Sequence, residues 1–586
     1  MNVLKKINAI FDGRQKRQFV LLGVMIFLGG LFETVGVSML VPIISAILKP
    51  GSIDAVLNDH PALKNVAYSL GFTSYMKQVS AMLLALIAVY VIKNAYLLLL
   101  ASKQNGFIAH TRNDMISRVM RDFLNRPYES YLAADIPTVF RITDSDIPHT
   151  FSLIMACLSL ATEVVVSVCL SIVLLIINWK MTLFILCVFG VLTLLITLTL
   201  KPRMSRTGEE NQKIQSRIAR WRLQAIYGLK DVKVLNRQDF FIRNYYESGK
   251  TGAGISRKYA VMNTVPRLLI ETVFMASMLL YVFFYVNRGG DVLTLTTQLV
   301  AFGVAAMRIM PSANRINTYL TEIAYEEPSL NYLYENLTES MRTDAEMRAE
   351  RAAIAGPELT LNDKIELKNI TYRYPGGERN IFTGASMTVP KGKSVGIKGT
   401  TGAGKSTIVD ILMGLLHVQE GEILCDGRDI FSNYDSWLAQ VGYIPQSIYL
   451  VDEPIRVNIA FGIDEDQIDD TKVWQALEEA QLADFVRTLP EGLDTTIGDR
   501  GMRLSGGQQQ RIGIARALYH DPEILVFDEA TSSLDGETEA ALMESINSFH
   551  GRKTMVIIAH RLNTIEKCDI IYKVEDEKLI ETTLNG

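Results

Sequence analysis

The stretch GTTGAGKS, Gly399 to Ser406, decides how the second half of this chain folds. An apolar run, Ser394 to Ile397, leads into it, and a helical run starts at Lys405. Glycine tolerates the backbone angles and the close approach that let successive N–H groups wrap a phosphate chain, so the pattern reads as strand, phosphate loop and helix. Gly399, Thr400, Thr401, Gly402, Ala403 and Gly404 form the cradle, and Lys405 reaches the terminal phosphates. Ser406 offers a hydroxyl to Mg²⁺, Thr407 follows it, and the helix N-terminus adds its partial positive charge. ATP with Mg²⁺ is the implied ligand.

Working outward, the apolar strand Ile524 to Phe527 presents Asp528 and Glu529 at its carboxyl end, where an open α/β sheet places its ligands. Asp528 suits the Mg²⁺ shell. Glu529 suits the attacking water, because phosphoryl transfer depends on positioning. The next apolar strand, Thr554 to Ala559, delivers His560 for a γ-phosphate contact. LSGGQ, Leu504 to Gln508, precedes both strands.

In this order the motifs resemble the ATP-binding cassette (ABC) transporter family, along essentially the whole chain. The resemblance implies that Tyr374 in TYRYPGG stacks on adenine and that Gln446 in YIPQ serves both the metal and catalysis. It makes Leu504 to Gln508 the signature, with Ser505, Gly506, Gly507 and Gln508 on the nucleotide, Ser533, Leu534 and Asp535 the D-loop, and His560 the switch histidine. Cassettes of this family close head to tail, so that one chain's phosphate loop and the other's signature sandwich each nucleotide. One signature per chain therefore implies a homodimer. Lys405, Glu529 and His560 all match a hydrolysis-competent site.

Composition splits the chain in two. A hydrophobic content of 48% and a mean hydropathy of +0.17 over 586 residues call for a membrane part. Residues 1–330 carry a net +13 and the remainder −17, so the halves are different physical objects. Six apolar stretches, near 19–47, 79–101, 151–177, 181–200, 266–287 and 292–312, are long enough to cross a hydrocarbon core about 30 Å thick. The first is too long for a signal peptide and lacks a small-residue cleavage site. Lys5, Lys6, Arg14, Lys16 and Arg17, with the basic connections after the second and fourth stretches, place both termini in the cytoplasm. Asn178–Lys180 and Asn287–Asp291 are tight hairpins. The fold expected is multidomain: an α-helical six-helix transmembrane domain of ABC exporter type (1–325), a linker (326–362) and an α/β P-loop nucleotide-binding domain (363–586).

The long basic connections carry helical periodicity and read as downward extensions of the membrane helices. Turns at Tyr128–Ile136 and Ile226–Val232 are the candidates for docking helices of the exporters that the chain resembles, with solvated reversals as the alternative. Cys157, Cys169, Cys187, Cys425 and Cys568 show neither metal spacing nor a disulfide framework.

Cargo is read from charge in the membrane part. An ionised side chain at the bilayer centre costs about 2.5 to 3.5 kcal/mol on insertion scales, so such residues line water or a substrate path. Arg308 and Arg315, two turns apart, share a helix face, and Arg267 opens the fifth helix after Pro266. Two chains would converge these arginines into a basin for pyrophosphate, which guanidinium binds in planar, bidentate fashion. Alternatively they snorkel to headgroups or pair with Glu33, Glu163 or Glu271.

VPR at Val265 to Arg267, RIMPSANRI at Arg308 to Ile316 and ETVGVSMLVPII at Glu33 to Ile44 are similar to segments of the bacterial lipid-linked oligosaccharide flippases. That similarity implies arginines serving a pyrophosphate, a lipid-linked oligosaccharide substrate, membrane lipid as a partner and the bacterial inner membrane as location. No nucleic-acid partner is expected. Leu63, Val66, Ala67 and Leu70 after Pro61 form an apolar stripe suited to an external interfacial helix. A lipid A or drug exporter with the same engine, and an ATP-gated regulator, remain as other readings.

Overall fold

The computed structural model describes residues 3–39, 43, 74–132, 136–287, 310–336, 356–498, 501–529, 536–559 and 562–583. Two compact units emerge. One comprises residues 1–125 with 135–344, and the other comprises 126–134 with 345–586.

The first unit is helical. Among the described residues, five helices are long and apolar enough to cross a membrane, within Gly13–Gly36, Tyr75–Asn125, Thr138–Val173, Thr182–Tyr227 and Gln238–Phe284. The expected sixth stretch falls outside the described residues up to 309, and the stripe at Leu63–Leu70 lies wholly outside them. Ile147–Tyr227 is helical without an assigned break, yet Gln212 Nε2 donates to Asp146 Oδ1 at 2.9 Å and Arg141 Nη1 to Ser216 Oγ at 3.1 Å. At about 1.5 Å per residue a straight helix would hold Asp146 and Gln212 roughly 100 Å apart. The run must fold back on itself. Both pairs are centred near Trp179, inside the expected hairpin Asn178–Lys180.

Pro266 does not start a helix as expected, because it lies inside Gln238–Asn287. Proline is tolerated in membrane helices, where neighbouring groups satisfy the freed carbonyl. A helix spanning 310–336 likewise runs through the expected domain edge at 325. The amphipathic helix Val3–Ile10 buries Ile7 and Ile10 in one cluster with Met115, Val119, Leu330 and Leu333, and Lys6 Nζ donates to Asn331 Oδ1 at 2.5 Å.

The second unit carries two sheets. Strands β1 (Lys364–Tyr372), β2 (Phe382–Pro390), β4 (Glu420–Cys425) and β5 (Arg428–Asp429) form an antiparallel sheet ordered β2-β1-β4-β5. The larger sheet runs β10-β9-β3-β8-β7-β6, built from β3 (Ser394–Gly399), β6 (Val441–Ile444), β7 (Ile524–Asp528), β8 (Thr554–Ile558), β9 (Ile570–Glu575) and β10 (Lys578–Thr582). Its five strands from β9 to β6 are parallel, and β10 adds antiparallel to β9. Every residue of β7 and β8 is buried, which is why these strands read as unbroken apolar runs. One core lies between the antiparallel sheet and the Lys405–Leu412 helix, around Phe382, Ile408 and Trp437. Another holds the helices around Leu477, Ile512 and Phe549 against the other face of the large sheet. Together they fix the carboxyl ends of β3 and β7.

Candidate active site

The phosphate loop leaves β3 at Gly399 and enters the Lys405–Leu412 helix through Gly404. Gly404 has φ +105°, and a Cβ there would sit 2.6 Å from Ile381 Cγ2, so only glycine fits the helix entry. Lys405 is buried and turns back over the loop, donating to the carbonyls of Gly399 and Thr400 at 3.2 Å each. A buried ammonium held, among the described residues, by carbonyls and by Glu529 at 4.0 Å is poised for a stronger acceptor.

Ser406 Oγ donates to Asp528 Oδ1 at 3.2 Å, and the Tyr443 hydroxyl donates to Oδ2 at 3.4 Å. Burial raises the Asp528 carboxyl. Ser406, Tyr443 and Lys405 pull it down, while Glu529 adds to the rise. Burial, then the Asp528 charge, pushes Asp410 up to about 6. Among the described residues these carboxylates gather around one ammonium, Lys405. No group of three or more His, Cys, Asp or Glu among the described residues could hold a metal alone. A hydroxyl and a carboxylate side by side nonetheless fit Mg²⁺, which is bound through one or two carboxylates together with substrate phosphates.

Glu529 adopts φ +51°, a left-handed conformation uncommon for a non-glycine residue and a mark of strain kept at functional sites. Gln446 Nε2 donates to Glu529 Oε2 at 3.0 Å, and Gln510 Nε2 donates to the Gln446 carbonyl at 3.0 Å. Gln446 and Glu529, expected at the site on separate motifs, are in direct contact. Gln510 lies outside the quoted motifs, and Tyr443 opens YIPQ without a role assigned to it there; the fold reveals both contacts.

Ser505 caps the Gly506–Leu518 helix reciprocally with Gln508: the serine hydroxyl accepts from Gln508 N, and Ser505 N donates to Gln508 Oε1. LSGGQ is thus a capping box, with Ser505 and Gly506 exposed at a helix N-terminus that favours anions. The Tyr374 hydroxyl shares a hydrogen bond with Thr407 Oγ1 at 2.9 Å, so the expected adenine platform is tethered to the phosphate-loop helix. Asp535 and His560 lie outside the described residues.

The turn Tyr128–Leu132 belongs to the cassette's own compact unit. Glu129 Oε1 accepts from His417 N at 2.8 Å, and the His417 ring stacks on Phe431 with centroids 4.7 Å apart. In the membrane unit, Arg315 grips Glu163 bidentately, Nε to Oε1 at 2.6 Å and Nη2 to Oε2 at 3.1 Å. Arg267 is exposed and has no acidic partner among the described residues. Arg308 lies outside them.

Taken together, the glycine-bound loop, the hydroxyl–carboxylate pair and the strained glutamate define a phosphate-loop ATPase. Residues 382–532 match the family model described as ABC transporter, and residues 19–305 match the ABC transporter transmembrane region. A lipid A-core flippase of Photorhabdus laumondii is 30% identical over 410 residues, 69% of this chain and 68% of that protein. The chain belongs to the ABC transporter family, as a half-transporter of exporter type. ABC transporter BEA3 of Gibberella fujikuroi is 42% identical over 219 residues, and the lipid A-core flippase of Escherichia coli K12 is 40% identical over 218. Each of those matches covers 37% of this chain but only 17% and 37% of the respective relative. In fold, the chain is similar to a bacterial Atm1-family ABC exporter solved with ATP bound, at a TM-score of 0.68 and 23% identity, covering 98% of this chain and 96% of that one.

Proposed function

We propose that two copies of this chain form an ATP-driven flippase that moves a polyprenyl-pyrophosphate-linked oligosaccharide from the inner to the outer leaflet of the bacterial inner membrane, with both termini cytoplasmic. The observation that carries the cargo reading is the Arg315 side chain, which remains 40% exposed inside the membrane unit while its guanidinium is paired to Glu163. A charge in that setting faces water, not acyl chains. Its fork suits a phosphate as well as a carboxylate. The similarity of the Arg267 and Arg308–Ile316 segments to PglK-type flippases supports the same reading.

ATP is bound by the phosphate loop, with Lys405 on its terminal phosphates and Ser406 and Asp528 holding Mg²⁺, which neutralises the charge developing on the phosphates. Tyr374 stacks on adenine once released from Thr407. Glu529, oriented by Gln446, polarises the attacking water, and His560 steadies the γ-phosphate. Ser505 and the Gly506–Gln508 amides of one chain close on the nucleotide held by the other, with Asp535 at the seam. The Tyr128–Leu132 turn, and the exposed apolar turn at Ile226, Tyr227 and Leu229, relay this closure to the membrane helices. Sugar and pyrophosphate pass along the arginine-lined path while the polyprenyl tail stays in lipid.

Reconstitution into vesicles with a panel of lipid-linked sugars tests the proposal. ATP-dependent transfer is expected, and it should disappear when Arg308 and Arg315 are replaced by Glu while basal ATPase persists. Unchanged transfer in that variant overturns the cargo assignment. The relatives' names favour one second reading, transport of lipid A, and lipid A in the same panel separates the two.

A further inference from the structure

We propose that Glu163 sets how tightly Arg315 holds its anionic cargo, by competing with the cargo's phosphate for the charge of one guanidinium. The inference rests on the cargo reading above and assigns a residue that sequence offered only as one of three alternative partners.

Two ion pairs of the membrane unit show the contrast. Lys93 and Glu33 meet at 3.5 Å with side chains 9% and 8% exposed, a sealed pair between helices. Arg315 and Glu163 meet at 2.6 Å, but the arginine side chain is 40% exposed and the glutamate side chain 14%. The glutamate is the more enclosed of the two side chains and the arginine the more open. Two of its five N–H groups face Glu163, and the others have no acceptor among the described residues. A strut needs no such opening. An arriving diphosphate would meet a guanidinium whose charge is already largely answered, and it would bind more weakly than to a bare one. Transport benefits, because a site on a path must bind well enough to load and weakly enough to release. Glu163 retakes Arg315 as the cargo leaves.

The test uses the full-length protein in vesicles, with farnesyl diphosphate as the probe and ATP hydrolysis as the readout. Glu163→Gln is expected to lower the KM for the probe about tenfold, the scale of one hydrogen bond to a charged group, and to lower kcat at saturation as release slows. In a background of Arg315→Gln the same substitution should change neither value. Glu163→Asp keeps the carboxylate but withdraws it from the fork, and an intermediate KM is expected, which preserves the test should the Gln variant lose probe-free ATPase. A lower melting temperature with an unchanged KM in both variants would mark a strut and overturn the inference alone. Failure of the wild type to respond to farnesyl diphosphate overturns both this inference and the cargo reading. Inorganic pyrophosphate is the control for the source of the phosphate: a response to it without one to the prenyl compound overturns a lipid-borne ligand.

Discussion

Replacing Glu129 by Ala should uncouple the machine without stopping its engine. The Glu129 carboxylate accepts the His417 amide at 2.8 Å, and it touches neither the phosphate loop nor the strand that bears Asp528. A hydrogen bond to a charged group contributes about 1.5 to 3 kcal/mol, and the half-exposed position of Glu129 puts this one at the lower end. A loss of about 1.5 kcal/mol reduces the docked population of the turn about tenfold relative to the undocked one. Basal ATPase in neutral vesicles should therefore stay near wild type, while lipid transferred per ATP falls by up to that factor. Glu129→Gln retains an uncharged acceptor worth about 1 kcal/mol and should fall between them. The assay counts phosphate released and fluorescent lipid-linked glycan transferred in the same vesicles. An unchanged ratio in Glu129→Ala, or equal losses of hydrolysis and transfer, would refute the reasoning.

Glu529→Gln should slow phosphate release at least about a hundredfold, since an amide cannot polarise the water, and should accumulate an ATP-bound dimer on gel filtration. Gly404→Ala places a methyl against Ile381 in a backbone conformation that only glycine tolerates, so the cassette should lose about 2 to 4 kcal/mol and bind ATP weakly, read by thermal melting and nucleotide titration. Burial raises the Asp569 carboxyl, but the Ser394 amide and hydroxyl, Lys393 and His550 outweigh it and hold the group at about 2. Its folded value lies below the unfolded one, so this stabilisation is present above about pH 4 and fades as pH falls through about 2. After allowance for solvent screening, Asp569→Asn should cost the cassette about 1 kcal/mol at pH 7, and its denaturation curve should converge on wild type in strong acid.

Local chemistry was legible in the sequence. Gly404, with φ +105° and Ile381 against it, has no room for a side chain, Gly402 with φ +80° takes a backbone angle that favours glycine, and their spacing marks the loop without any knowledge of the rest. The reversal near Trp179 was legible too, as a short polar break between apolar runs. Pairings across the chain were not. Arg315 finds Glu163 from 152 residues away and Glu129 finds His417 from 288, and a single charged residue carries no signal of which opposite it will meet. Pro266 misled for another reason: the rule that proline opens a helix belongs to water, and membrane helices relax it.

The cassette's compact unit contains residues 126–134, which the ribosome delivers long before β1 exists. During synthesis this short turn waits, its eventual seat unmade, until the cassette, residues 345–586, has emerged and condensed around it. Assembly is therefore a late, long-range closure of the kind that folds slowly, and a cassette expressed from residue 356 onward would present His417 with its amide proton facing only water. Supplying the missing nine residues as a free peptide should restore that cap, and with it some of the fragment's resistance to proteolysis.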